Sequence, residues 1–547
     1  MISAGGLVEK KFNKYTLNSR YINEEVLFKI LNKNSTSKYG EKYNFNSIKS
    51  VDEYKSNVPI TDYLDYELYI NEMLKGEKNI LITDDVEFFG HTSGTTGKQK
   101  LVPVTKKSRE VGSKYMALLI ERFAYNNLKN KWNYGRGLML ADTVMTTYSE
   151  GGVPICSATS GGMDAIKVIL PKIYTSPYEV MKIKDKNAAL YLHLLFALED
   201  KSLTYISGVF ISNVLDALRT LEDNAELLVR DIRRGSINRN LNIDGETRKK
   251  LNKCLKPNAG RADEMELEFS KGFEGICRRI WPKLIYIASV TGANFSIYDD
   301  MVNYYTGSIP IYSPAYASTE AMIGINPYIS KIRYVIIPDT VFYEFIPVKE
   351  SNKENPQTYC IDELKVGEKY EIIITSYAGF YRYRLGDVVK VVDYYNNSPE
   401  IEFLYRKNQA LNMVSEKTTE DHLRESLSKT VKEFNLSLVD YTTLEDNSIT
   451  PGRYVFYLEF NEEIPKSKIK FIENTLDKEL QKANLAYGRF RKNNRLACLS
   501  INIVRRNTFD IIKRYLISKG VSKSQIKIPR VITNKKDILN ILNDNSK

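Results

Sequence analysis

Apolar positions recur at helical spacing through the chain up to about Lys78, and Tyr21–Leu31 is amphipathic. The turn-like Val58-Pro59-Ile60-Thr61 interrupts this region, and a polar Gly/Thr/Ser stretch runs from Gly90 to Lys98. The spacing predicts further helices over 107–127 and 187–198. Short β-rich runs follow at 283–290, 334–338, 341–347, 370–375 and 388–394. Helices interleaved with such runs predict an α/β fold. Near Leu404 the texture changes. Beyond it the pattern reads helix (419–434), strand (454–460), helix (466–484), strand (500–504) and a helix from Phe509. We therefore expect a large N-terminal domain over 1–403 and a connector at 404–408, where Arg406-Lys407-Asn408 reads as a hinge. A smaller, mobile α+β domain is expected over 409–547.

At 547 residues, 43% hydrophobic and 27% charged, the composition is that of an ordinary globular chain. The opening stretch carries Glu9, Lys10, Lys11 and Lys14, which does not fit a signal peptide. The apolar run Leu190–Leu198 is too short to span a bilayer and is broken by His193. Five dispersed cysteines (Cys156, Cys254, Cys277, Cys360, Cys498) without a CxxC pair argue against zinc and disulfides and suit a reducing cytoplasm. Three histidines leave little for a His-based triad. Nearly all of the +12 net charge lies beyond Leu404, but it never forms a basic run. Neither nucleic acid nor a membrane is expected as a partner, and a monomer is.

The sharpest local motif is Thr92-Ser93-Gly94-Thr95-Thr96-Gly97-Lys98. It departs from a Walker A loop, with Thr92 in place of the first Gly and Gln99 in place of the Ser/Thr. Its glycines let backbone N–H groups converge, and its hydroxyls add donors that can follow a triphosphate. Such a run alone is more often a surface loop. Its flanks favour the anion cradle, since Val86–Phe89 reads as a strand leading in and 101–105 as one leading out.

Strand, Thr-Ser-Gly-Thr-Thr-Gly and Lys together resemble the first core motif of the adenylate-forming superfamily, which includes acyl-CoA synthetases, adenylation domains and luciferases. Further segments narrow the likeness. Asn187–Leu198, Gly208–Leu221 with Leu228–Ser236, Gly272–Ile276 through Pro282, and Val290–Ala293 are similar to consecutive stretches of one branch. Tyr316-Ala317-Ser318-Thr319-Glu320 with Ile323–Asn326, Tyr343–Val348, Tyr377–Gly379 and Tyr381–Asp387 follow in the same order. So do Pro451–Val455 and Lys527-Ile528-Pro529-Arg530. The branch is the Gretchen Hagen family of acyl-acid amido synthetases.

The resemblance implies a large adenylate-forming domain, with β-barrel or sheets and helices, and a mobile C-terminal lid. It implies ATP and magnesium as cofactors, with a small carboxylic acid and an amine, such as an amino acid, as substrates. Ser93, Gly94, Thr95 and Thr96 would hold phosphate, and Tyr316 with Ala317, Ser318 and Thr319 would contact adenine. Asp387 suits the ribose, because one carboxylate accepts from two vicinal hydroxyls. Glu320 is the expected magnesium ligand, a hard oxygen donor for a hard cation. Lys417 and Lys527 correspond to family lysines, and with Glu320 they form the expected catalytic set. As point cations on flexible stems, the lysines could follow negative charge onto pyrophosphate, each in its own half-reaction. Candidates for the acyl pocket are Arg109, Tyr115, Met116, Leu119, Arg122, Val153, Phe210 and Met322, although aromatic and Met residues at helical spacing fit plain core as well. No base for the amine step is evident. An acyl-CoA ligase, or a silent nucleotide-binding protein, would share many of these features.

Overall fold

The computed structural model describes every residue except 92–99, 146, 292–297, 408–410, 415, 417, 522–524 and 533–535. Among the described residues, four sheets interleave with helices. The expected phosphate-loop flanks are strands: Val86–His91 and Leu101–Thr105 pair antiparallel, with His91 opposite Leu101. A second, fully parallel sheet joins Gly137–Leu140, Tyr205–Phe210, Tyr286–Val290 and Ile311–Tyr312. Parallel strands need crossover helices that cover the sheet. Lys186–Leu198 is one such helix. Asp185 caps it, accepting from the Ala188 N–H at 2.8 Å. It is apolar on nearly every side and correspondingly buried from Tyr191 to Leu198. Trp281, fully enclosed, donates its indole N–H to the Ala197 carbonyl at 2.8 Å.

The central sheet has seven strands, each antiparallel to its neighbours, among them Phe342–Pro347, Lys369–Thr375, Tyr383–Tyr395 and Ser398–Arg406. It is tied to the N-terminal helices by Arg382. The Arg382 guanidinium bonds the buried Glu344 carboxylate at 2.8 Å and donates to the Lys55 and Val58 carbonyls at 2.6 and 2.8 Å. The turn at Val58–Thr61 therefore seats one end of the sheet.

The last part of the chain is the expected α+β module. Its sheet runs Ser500–Ile503, Arg453–Phe460, Leu438–Asp446, Val531–Ile532, and the strand at 438–446 is an addition to the sequence reading. The first three residues of the connector expected at 404–408 belong to the strand Ser398–Arg406. Lys407 is also held, its ammonium donating to the Ser351 carbonyl and to Glu371, each at 3.2 Å. Across the interface, Lys513 reaches Asp216 at 3.0 Å, and the Tyr298 hydroxyl donates to Asp440 at 2.9 Å while accepting from Arg530 at 3.0 Å.

Candidate active site

The loop carrying Ser93, Gly94, Thr95 and Thr96 lies outside the described residues, but both of its anchors are defined. The Tyr63 hydroxyl accepts from the Leu101 N–H at 2.7 Å and donates to the Leu101 carbonyl at 3.1 Å. At the other anchor, a Cβ on Gly90 would come within 2.7 Å of the Thr319 side chain. A glycine is therefore required where this strand abuts the Ser318-Thr319-Glu320 turn. His91, buried at the strand end, is held below its ordinary pKa by burial, against the opposing charge of Asp142. Lys100 stands over the Tyr63 ring at 5.2 Å. Burial lowers its pKa, Glu320 opposes that, and Arg406 adds to it.

The turn itself follows from short-range chemistry. Ala315–Ala317 pairs antiparallel with Met322–Ile325. Between them the Ser318 N–H donates to the Ala321 carbonyl at 2.9 Å, and the Ser318 hydroxyl accepts from the Ala321 N–H at 3.2 Å. Glu320 thereby projects from a tight turn, where the Tyr383 hydroxyl approaches its carboxylate at 3.4 Å. Tyr383 is pushed above its ordinary pKa by burial first, then by the Glu320 charge.

Asp387 is almost fully buried. Gly386 before it takes a φ of +81°, a turn that leaves the strand's next side chain facing the site. Three donors converge on the Asp387 carboxylate. The Tyr316 hydroxyl lies at 2.7 Å from one oxygen, Arg406 Nε at 2.5 Å from the other, and a second Arg406 nitrogen at 3.1 Å. Asp387 and Arg406 are direct cross-strand partners. The Asp387 charge is the largest influence raising the Arg406 pKa. Arg406 was legible in the sequence only as part of a hinge; its partnership depends on a register the chain does not announce locally.

From the C-terminal module comes Lys527. Its segment is stapled to the strand Leu438–Asp446: Thr442 and Thr443 hydroxyls donate to the Pro529 and Arg530 carbonyls at 2.5 and 2.6 Å. Arg530 is buried and bonds Asp440 and the Tyr441 carbonyl. Burial lowers the Lys527 pKa most; Arg530 and Arg406 lower it further, while Glu420 and Asp387 oppose. Charges from the central sheet thus act directly on a C-terminal lysine. Lys417 lies outside the described residues.

The acyl-pocket candidates divide. The helix after the hairpin runs as Lys106–Lys114 and Ile120–Leu128, joined by a π-turn at Tyr115–Leu119. Such turns often sit at functional sites. Tyr115, Leu119 and Met322 share one apolar cluster with Phe12 and Phe123, and Ala315 beside Tyr316 belongs to it. Tyr115 also donates to Asp339. Arg122 is engaged by Glu9 at 2.6 Å, and Arg109 by both oxygens of Glu87 at 2.7 and 3.1 Å. Met116 is 49% exposed. Val153 packs at the edge of the central core, and Phe210, at the start of the helix Ile211–Asp223, packs against the parallel-sheet core instead. The structure therefore brings Tyr115, Leu119 and Met322 together and leaves Phe210 and Val153 apart from them.

The chain as a whole is similar to known proteins. An indole-3-acetic acid-amido synthetase of Arabidopsis thaliana, GH3.6, is 29% identical, covering 97% of this chain and 92% of its own length. A jasmonoyl-L-amino acid synthetase of Nicotiana attenuata, JAR4, is 30% identical over 98% of this chain and 96% of its own. The structure of GH3.15 acyl acid amido synthetase matches with a TM-score of 0.89 at 27% identity, over 100% of this chain and 97% of that one. A 2-hydroxyisobutyryl-CoA ligase in the postadenylation state, 10% identical with a TM-score of 0.52, shares the fold alone. Models of the GH3 family N-terminal, central and C-terminal domains match residues 8–311, 334–406 and 421–536 in turn, so the chain belongs to the GH3 family.

Proposed function

We propose that this chain is an ATP-dependent acyl-acid amido synthetase. A carboxylate oxygen of the acid attacks the α-phosphorus of ATP, the α–β bridging bond breaks, and acyl-AMP forms with loss of pyrophosphate. The amine nitrogen then attacks the acyl carbon, the carbon–oxygen bond to AMP breaks, and the nitrogen gives up its proton to leave the amide. Both steps depend on positioning and charge stabilisation more than on covalent help from the protein. The observation that carries this reading is the convergence of Tyr316, Glu320 and Asp387 beside the anchored loop hairpin, with Lys527 entering from the second domain.

In this reading Asp387 binds the ribose, the Tyr316–Thr319 stretch lies along adenine, and the 92–99 loop holds phosphate. Among the described residues no group of three or more His, Cys, Asp or Glu could enclose a metal. A lone carboxylate, Glu320, fits magnesium, which takes one or two carboxylates and otherwise keeps waters and phosphate oxygens. The metal would neutralise phosphate charge. Because Asp387 grips Arg406, and Ser351 and Glu371 grip Lys407, rotation of the lid would begin beyond Lys407. The acyl group would lie toward the Tyr115–Leu119–Met322 cluster.

The two named relatives are an indole-3-acetic acid-amido synthetase and a jasmonoyl-L-amino acid synthetase. An amino acid is accordingly the acceptor we infer here, and the unpaired thiols of all five cysteines suit a reducing cytoplasm. The test offers the adenylated enzyme equal coenzyme A and mixed amino acids and reads products by mass spectrometry. An amide is expected. A dominant thioester without amide would overturn the proposal in favour of a ligase.

A further inference from the structure

Glu420 opens the helix Glu420–Glu433 and is 3% exposed. One of its carboxylate oxygens, Oε2, has no hydrogen-bond partner, and that oxygen lies 4.0 Å from the Lys527 ammonium. Two more buried polar atoms without a hydrogen bond belong to its neighbours: the Tyr441 hydroxyl and Arg530 Nε, the latter's guanidinium centred 4.5 Å from the Tyr441 ring. An enclosed carboxylate with an open oxygen is costly unless a charge faces it. Lys527 is that charge. At 4.0 Å the pair is beyond hydrogen-bond range, so Glu420 supplies field without taking up a proton of the ammonium.

We propose that Glu420 is the positioning residue for Lys527: its open carboxylate oxygen, 4.0 Å from the ammonium, holds that cation in place for the phosphate charge it is to follow. This rests on the reading of Lys527 as the cation that follows the phosphate charge. The need for such a residue is visible in the surroundings. Arg530 on the lysine's own segment and Arg406 on the central sheet both favour the neutral amine, as does burial; Glu420 and Asp387 are the opposing charges. A neutral amine would offer the leaving pyrophosphate no charge. Removing the Glu420 carboxylate takes away the larger of these two opposing charges, and the other, Asp387, is already engaged by Arg406.

The experiment follows ATP–pyrophosphate exchange from pH 7 to 10 on the full chain. In Glu420→Gln the alkaline limb of the adenylation rate should move to lower pH by about one unit, with kcat rather than the acid's KM affected, and amide formation from added acyl-AMP unchanged. Glu420→Asp, which keeps the charge and is the variant to rely on if Gln does not fold, should move the limb in the same direction by less. Lys527→Arg combined with Glu420→Gln should abolish the limb, because a guanidinium stays charged without help. An unmoved limb in both Glu420 variants, or a shifted limb surviving in the double variant, would overturn the proposal. Lys527→Ala separates the two readings: intact adenylation in that variant removes the role of Lys527 itself. Impaired adenylation there with an unmoved limb in Glu420→Gln removes only Glu420.

Discussion

Replacing Asp387 by Asn tests the nucleotide assignment at its most exposed point. A carboxylate has about four lone-pair positions, and here three are in use, one by the Tyr316 hydroxyl and two by Arg406. A ribose diol arriving at this group finds one position open and must displace a donor for a second. Its net gain is therefore that of about one hydrogen bond to a charged acceptor, roughly 1.5–3 kcal/mol, rather than two. Asn keeps an oxygen for Tyr316 but brings an N–H₂ toward Arg406 and loses the charge. ATP affinity should fall on the order of 10- to 100-fold. Stability should fall less, by about 1 kcal/mol, because Arg406 is more than a third exposed and solvent screens its lost partner. Titration calorimetry with ATP, alongside a urea melt, measures both. A folded Asn variant that binds ATP with wild-type affinity would refute the ribose role. A collapse of stability with intact affinity would recast Asp387 as an anchor of the strand Ser398–Arg406.

Two further outcomes are expected. Of Lys417→Ala and Lys527→Ala, one should impair adenylate formation more than transfer from preformed acyl-AMP; equal, small effects on both steps, read by pyrophosphate release and by product mass, would remove the rotating lid. His193 is buried with Ser176 on its Nδ1 at 2.8 Å, and burial pushes its pKa down to about 4. A lowered histidine pKa means that the unfolded chain takes the proton first, so stability is full above about pH 6.5 and is lost as pH falls toward 4, by about 3 kcal/mol. His193→Asn should flatten that part of the stability–pH curve measured by urea melts, and an unchanged slope would contradict it.

What the sequence disclosed and what it withheld have physical reasons. Strand periods and the Gly/Thr/Ser loop are local, so the hairpin around 92–99, the helix at 187–198 and the second module could be read directly. The motif Tyr381–Asp387 was legible as a unit, but its division of labour was not. Tyr381 donates to the Leu81 carbonyl at 2.7 Å, Arg382 binds Glu344, Tyr383 turns to Glu320, and only Asp387 faces three convergent donors. Tyr381 and Arg382 precede the strand that opens at Tyr383, and the positive φ of Arg382 and of Gly386 turns the backbone twice within the motif, so its residues serve different neighbours. Arg406 and Glu420 were missed for the converse reason. Each looks like one more surface charge until a long-range pairing, with Asp387 in register or Lys527 across the module, gives it a partner. The strand Leu438–Asp446 escaped because Asp440, Thr442 and Thr443 dilute its apolar pattern. Those same residues hold Arg530 and the carbonyls beside it, and so carry Lys527. Polar groups placed inside a strand dilute its apolar pattern, and here they hold the segment that bears the lysine we propose as the anion-following cation.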